Sequence, residues 1–344
     1  MRDALSPKER LFAILDRKLV DRISVAQPMQ SGTVELMHSS GAYWPDAHSD
    51  PELMAALAYE AYRIVGFESV RVPFDLNVEA EAMGCELDYG KGPNKGLDIQ
   101  PSVEKPAMDA VDDFRGLKIP DPCKDGRMAV VLKAVEILKK RVPYTVPVIV
   151  GIVGPFMLAG QVRGVEAFMV ELIRNPDSVV RILDIAYRVS LSYAHALARA
   201  GADCLSINDP TASPDMISPR HYDKFAKMYA QSLARNIPVR SILHICGNTN
   251  PILTKMAEVA SGLSLSAQVD IAEAREKVGL GTALCGNISN EVLLFGDSSA
   301  IEENVKTCIG KGTDIICTEC GIPPYTSTDN LKALAEAGKK FGVK

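Results

Sequence analysis

A closed barrel of eight parallel strands wrapped by helices, a (β/α)8 or TIM barrel of the α/β class, is the fold this sequence predicts, and three observations predict it. Short apolar runs rich in β-branched residues alternate with amphipathic segments of helical length, which is the pattern of buried parallel strands joined by covering helices. The strand-like runs number eight, one full barrel. No GxGxxG follows the first run and no GxxxxGK[ST] occurs anywhere, so the open, nucleotide-binding sheets lose their usual support.

The expected strands lie near residues 22–26, 69–72, 146–153, 203–207, 241–246, 263–267, 282–285 and 314–317. Helical periodicity falls between them at 51–65, 176–200, 219–236, 251–260, 271–278, 300–310 and 330–341. Several of these open with Pro just inside an Asn or Ser cap, as at Asn175-Pro176, Ser218-Pro219 and Asn250-Pro251. Residues 74–125 are rich in Gly, Pro and Asp with weak periodicity, and form an expected insertion after the second strand. Residues 1–344 are thus expected to make one barrel domain, with an extension over about residues 1–20.

A chain of 344 residues that is 47% hydrophobic can bury a large core. Its net charge of -5, with no long block of one sign, gives no compositional support for a nucleic-acid partner or an anionic membrane surface. The longest apolar stretches, such as 146–153, fall well short of the roughly 20 residues that span a bilayer. With no basic-then-apolar leader pattern, a cytoplasmic protein without membrane partners is expected. Eight cysteines under those conditions are expected to be reduced thiols or metal and redox groups rather than a disulfide framework.

The chemistry-bearing segment is Leu243-His244-Ile245-Cys246-Gly247-Asn248-Thr249. Side chains two apart on a strand share a face, so His244 and Cys246 point the same way while Leu243 and Ile245 pack outward. Gly247 and Asn248 end the strand and leave the pair at its carboxyl end, the rim where barrel active sites are built. Imidazole and thiolate are good zinc ligands, and a catalytic zinc needs only three protein ligands. The end of the last strand, Ile316-Cys317-Thr318-Glu319-Cys320-Gly321, offers a third donor. Cys317 follows two isoleucines inside the apolar run, whereas Cys320 falls just past it. Against this stand a core His beside a core Cys, and a redox CxxC made of Cys317 and Cys320.

From its first strand to its end the chain resembles the uroporphyrinogen decarboxylase superfamily, in particular its methylcobamide:coenzyme M methyltransferase branch. The resemblance rests on Val20-Asp21-Arg22-Ile23-Ser24-Val25, on the segment from Leu243 to Thr249, on Cys285-Gly286-Asn287-Ile288-Ser289 and on Glu319-Cys320-Gly321-Ile322-Pro323-Pro324. It implies zinc held by His244, Cys246 and Cys320, which would also be the catalytic residues. It implies transfer of a methyl group from a methylcobamide, carried by a separate small corrinoid protein, to a zinc-bound thiolate of a small thiol such as coenzyme M. Arg71 is then a candidate to receive the thiol's sulfonate, with an ordinary salt bridge as the alternative. Asp209, in Asn208-Asp209-Pro210, is a candidate to order the pocket, with a turn-forming Asp as the alternative. The segment 79–88 and the Gly-Pro loop at 90–96 are candidates for the docking rim.

Two departures from the family pattern matter. Residues 27–33, Gln27-Pro28-Met29-Gln30-Ser31-Gly32-Thr33, lack the arginines that the superfamily's decarboxylases use for substrate carboxylates. Ser266-Ala267-Gln268 stands where the methyltransferases tend to carry an acidic residue near the metal. The competing expectations are the same transfer to homocysteine or another thiol, decarboxylation of a carboxylated tetrapyrrole, and a non-catalytic module with a structural zinc.

Overall fold

In the computed structural model, which describes residues 3–90 and 98–343, six of the eight runs form a continuous parallel sheet. With strands numbered along the chain, β1 is Val70–Val72, β4 is Val148–Val153, β5 is Cys204–Asn208, β6 is Arg240–His244, β7 is Gly262–Ser264 and β8 is Ala283–Cys285. They pair in the order β1-β4-β5-β6-β7-β8. The two remaining runs close the ring through single bridges, Cys285 with Ile315 and Ser24 with Ile315, and the Glu68 N–H donates to the Val25 carbonyl at 2.8 Å. The fold is a TIM barrel whose seam at the first and last runs is held by isolated bonds rather than ladders.

The strands are shorter than their apolar runs because the chain turns away at the rim. The run at 241–246 leaves the ladder at His244, and the run at 263–267 leaves it at Ser264. Alternation sets two layers. Val150, Leu205, Leu243, Leu263 and Leu284 pack outward under the helices, while Ile149, Cys204, Ile242, Ala283, Cys285, Ile315 and Cys317 fill the barrel interior. The interior layer is completed from below by Leu11, Ile14 and Leu15 of the helix Pro7–Leu15. That helix starts on a capping box, Ser6 with Glu9, and a Pro in its first turn. It lies within the expected extension and carries no strand-helix alternation to betray it.

Beneath the barrel Glu68 gathers charge: it accepts from Arg10 Nη1 at 3.0 Å, from Arg22, and from the Val25 N–H at 2.9 Å. On the other side of β1, residues 74–125 contain the short helix Val78–Ala82 and an antiparallel hairpin of β2 (Glu86–Asp88) and β3 (Ser102–Lys105). The covering helix Gly126–Arg141 follows, so the insertion sits between a strand and its helix. Pro176–Ala200 spans its expected range, whereas 219–236 is divided by a π-helical turn at Tyr222–Lys227, and only Leu253–Met256 of 251–260 is helical. Of the expected caps, Ser218 accepts from the His221 N–H, while Asn175 makes no side-chain cap bond.

Candidate metal centre

His244 is the last ladder residue of β6, and its place in the alternation turns the imidazole into the barrel, where it is 1% exposed. Its Nδ1 lies 3.2 Å from the Ser264 carbonyl and 3.1 Å from Ser264 Oγ, on the neighbouring strand. A carbonyl only accepts, so this contact places the proton on Nδ1 and leaves the Nε2 lone pair facing the rim. There Nε2 stands 3.1 Å from Cys246 Sγ. Immediately afterwards Gly247, at φ +80°, turns the chain; a side chain there would run into the Asp215 carboxylate.

Cys320 completes the group. Its Sγ is 3.8 Å from Cys246 Sγ, and the three donor atoms all lie within 4.8 Å of one another. Among the described residues this is the one cluster of three or more His, Cys, Asp or Glu side chains placed to hold a metal ion. Hydrogen bonding from the Cys246 thiol pulls the Cys320 thiol far below its ordinary value, and the same bond pushes Cys246 up. The donor set fits zinc: a tetrahedral site with Zn–S bonds of about 2.3 Å has a sulfur–sulfur edge of roughly 3.8 Å. Cys317, by contrast, is fully buried in the interior layer with Ile315 and Cys285, and burial raises its thiol.

A cavity of about 170 Å³ opens beside Cys320, between Met29, Gln30, Phe74 and Arg71. Arg71 points inward from the middle of β1 and is buried, its Nη1 donating to the Pro73 carbonyl and its Nε without a partner. It fits because β4 presents Gly151, where any side chain would overlap the guanidinium. Among the described residues no carboxylate pairs with it, so the ordinary salt bridge is not what holds Arg71 there. Burial lowers its value to about 10, which still leaves it cationic at neutral pH. Asp75, which also lines the cavity, is already committed to Arg127 at 2.7 Å and His48 at 3.1 Å.

Asp209 sits just past β5, and its carboxylate is directed at the start of the helix Pro155–Arg163. Oδ1 accepts from the Met157 N–H at 2.6 Å, while Oδ2 is buried without a partner. Its main-chain N–H donates to the His244 carbonyl at 2.9 Å, so its contact with the cluster runs through β6 rather than through the cavity. Burial raises its carboxyl to about 7. In the segment 79–88, Glu79, Ala80 and Met83 are buried, which confines any docking surface there to its end at Glu86 and Asp88. The loop at 90–96 lies, beyond Gly90, outside the described residues.

Sequence reasoning missed Ser264, Gln27 and Gln30. Gln27 exchanges bonds with Thr318, donating from Nε2 at 2.6 Å and accepting from its N–H at 3.3 Å, and Gln30 accepts the Ile322 N–H at its main-chain carbonyl at 3.0 Å while its side-chain Nε2 donates to the Ile322 carbonyl. Ser264 is a neutral polar residue in the apolar run 263–267, and the run's own pattern was the available signal for a side chain turned to the rim.

A TIM barrel with one imidazole and two thiols gathered at the carboxyl ends of its strands has the layout of an enzyme active site. The chain matches the family model Uroporphyrinogen decarboxylase (URO-D) over residues 6–341 and belongs to that family. Its relatives include the methylcobamide:CoM methyltransferase MtaA of Methanosarcina barkeri, 39% identical over 97% of this chain and 98% of the relative. They also include MtbA of Methanosarcina acetivorans, 35% identical over 98% of both chains. A solved methyltransferase from Methanosarcina mazei superimposes with a TM-score of 0.93 at 39% identity, covering 98% of this chain and 99% of the other. A B12-independent methionine synthase from Shewanella, at 12% identity and a TM-score of 0.62, shares the fold alone.

Proposed function

We propose that the chain transfers a methyl group from a methylated corrinoid to a small thiol, coenzyme M in the first instance, using zinc at His244, Cys246 and Cys320. The observation that carries this reading is the packing of Nε2 and two Sγ atoms into one donor set beside a cavity lined by a buried guanidinium that no carboxylate among the described residues pairs. The near full-length likeness to methylcobamide:CoM methyltransferases supports it. A thiol with an ordinary value near 8.5 is only about 3% ionised at pH 7. Zinc, when bound, supplies the charge that keeps an acceptor thiol deprotonated and nucleophilic.

The chain's own residues do the rest. Ser264 holds the His244 ring so that Nε2 faces the cluster. Arg71 receives the anionic end of the acceptor, and Met29 and Phe74 keep water from its alkyl part. A corrinoid carried by a separate small protein is then presented at the open rim. We take residues 1–344 as one domain and place it in the cytoplasm; no helix among the described residues is long and apolar enough to cross a membrane.

The alternatives fare less well on specific grounds. Homocysteine would bring an ammonium group into a cavity whose one acidic lining residue, Asp75, is already paired. Tetrapyrrole decarboxylation has no arginine in residues 27–33, and the relatives named uroporphyrinogen decarboxylase are only 24–27% identical. A structural zinc would want a fourth protein ligand, and Cys317 lies in the core. The test is metal analysis of the purified protein followed by demethylation of methylcobalamin with coenzyme M, homocysteine and 2-mercaptoethanol. About one zinc per chain and thiol-dependent turnover fastest with coenzyme M are expected. Turnover that survives verified zinc removal would end this reading.

A further inference from the structure

We infer that Glu319 is a positioning residue that fixes Cys320 at the metal-binding rim by tying the end of the last strand to the two preceding rim loops. The inference rests on the zinc reading of the cluster. Cys320 needs such a device because it lies in no strand: beyond the single bridge between Ile288 and Thr318, the segment from residue 318 to 322 has no ladder to hold it. Cys246, two residues past β6, inherits its position from the ladder. Cys320 gets its position from isolated main-chain bonds on either side and from side chains.

Glu319 is built for that. Its Oε2 accepts from the Ala267 N–H at 2.8 Å and from Ser266 Oγ at 3.2 Å, both in the loop after β7. Its Oε1 accepts from the Asn290 N–H at 2.8 Å, beyond β8. Its own N–H donates to the Ile288 carbonyl at 2.9 Å. One carboxylate therefore joins three rim segments, with Cys320 as the next residue along the chain. Asn290 adds a bond from Nδ2 to the Gly321 carbonyl at 3.2 Å, so the cysteine is clamped on both sides. Charge-assisted bonds to backbone N–H groups are the stronger sort, and groups that orient a metal ligand commonly matter by roughly 10–100-fold in metal affinity. With both oxygens engaged by donors, Glu319 acts on the cluster through Cys320 and is not itself a donor in it.

The geometry also explains Ser266. A residue with a short hydroxyl there leaves room for Glu319 to reach across and gives it one of its three partners. The acidic group near the cluster thus comes from the residue beside Cys320 instead of from the loop after β7.

The test uses the full chain with Glu319→Ala, Glu319→Gln and Ser266→Ala. Zinc affinity is measured by competition with a chromophoric chelator, and the cobalt(II)-substituted proteins are examined by visible and near-ultraviolet absorption, where thiolate-to-cobalt bands report how many sulfurs remain bound. Glu319→Ala is expected to weaken zinc roughly 10–100-fold and to reduce the sulfur-to-cobalt band. Glu319→Gln, which keeps one acceptor but turns an amide N–H2 toward a donor, should fall between it and the native protein. Ser266→Ala, losing one bond of three, should shift affinity least. Should Glu319→Ala fail to fold, the Gln and Ser266 variants carry the same ordering. Native-like affinity and spectra in the Glu319 variants, with the native chain binding zinc normally, would overturn this inference alone. A native chain that binds no zinc would overturn the functional reading with it.

Discussion

Cys246 Sγ and Cys320 Sγ lie 3.8 Å apart although 74 residues of chain separate them. The ladder explains the meeting. β6 pairs with β7, β7 with β8, and β8 bridges to Ile315, so the ends of the fifth and last runs are three pairings apart around a closed ring. Inward-turned groups at those ends converge whatever the length of chain between them.

Replacing Cys320 by Ala should remove one of three donors, strip zinc from the purified protein and abolish thiol-dependent demethylation of methylcobalamin. Cys317→Ala should keep zinc and activity and cost about 1 kcal/mol of stability, the scale of a small truncation in a packed core. Metal analysis and chemical denaturation of both variants decide the matter; zinc lost from the Cys317 variant and kept by the Cys320 variant would reverse the roles.

Arg71 and Gly151 should behave as a pair. Arg71→Met removes the buried cation and is expected to raise KM for coenzyme M by roughly 10–100-fold, the worth of one hydrogen-bonded charge, with much less effect on 2-mercaptoethanol. Gly151→Ala places a methyl group where the guanidinium lies and should shift KM in the same direction while leaving Arg71 in the sequence. Steady-state kinetics with the charged and the neutral thiol separate this from a general loss of activity; an equal effect on both thiols would argue against an anion site.

These contrasts also mark how far the sequence could be read. The period of two at His244 and Cys246 was enough to put both on one inward face, and the seven residues from Leu243 to Thr249 say where the strand ends. Arg71 was visible as a charge inside an apolar run, but the room for its guanidinium depends on Gly151, which sits 80 residues further on. Glu319 was illegible because two of its three partners are main-chain N–H groups on other loops, and backbone N–H groups are the same in every sequence. The helix Pro7–Leu15 was missed for a different reason: its start signals, Ser6 and Glu9, are clear, yet nothing local shows that its apolar face belongs inside the barrel.

Glu79 should make stability fall as pH rises. Burial raises its carboxyl from 4.5 to about 7, so the folded chain keeps a proton that the unfolded chain has already released between those values. The stabilising contribution is full below about pH 4.5 and is lost on passing through pH 7. Glu79→Gln removes this dependence while retaining an acceptor for the Val153 N–H, which donates to Oε1 at 2.8 Å. Relative to the native protein, the variant should gain on moving from pH 5 to pH 8.5, by roughly 3 kcal/mol at most. Denaturation at both pH values measures it, and a difference that does not change with pH would refute the assignment.

Glu68→Ala should be among the most damaging single changes outside the site. It would leave Arg10 and Arg22 buried with only Asp3 and Asp21 to balance them. Breaking a buried ion pair from one side costs roughly 3–5 kcal/mol, a large share of the 5–15 kcal/mol that typically holds a domain together. Urea denaturation is the direct measure. A cost under about 1 kcal/mol would show that the two aspartates suffice.

The helix Pro7–Leu15 fixes the order in which this chain can finish folding. Its apolar face leaves the ribosome before any of its seat, which is made of Ile149, Cys204, Ile242, Cys285 and Ile315. The first strand run waits in the same way, since Ser24 takes its partner from Ile315 and the Ile23 N–H finds its acceptor in Gly342. Contacts of such sequence separation form late and slowly. Until the segment that carries Ile315 is available, Leu11, Ile14 and Leu15 have no complete native seat, and the nascent chain presents them to whatever else binds apolar surface in the cell.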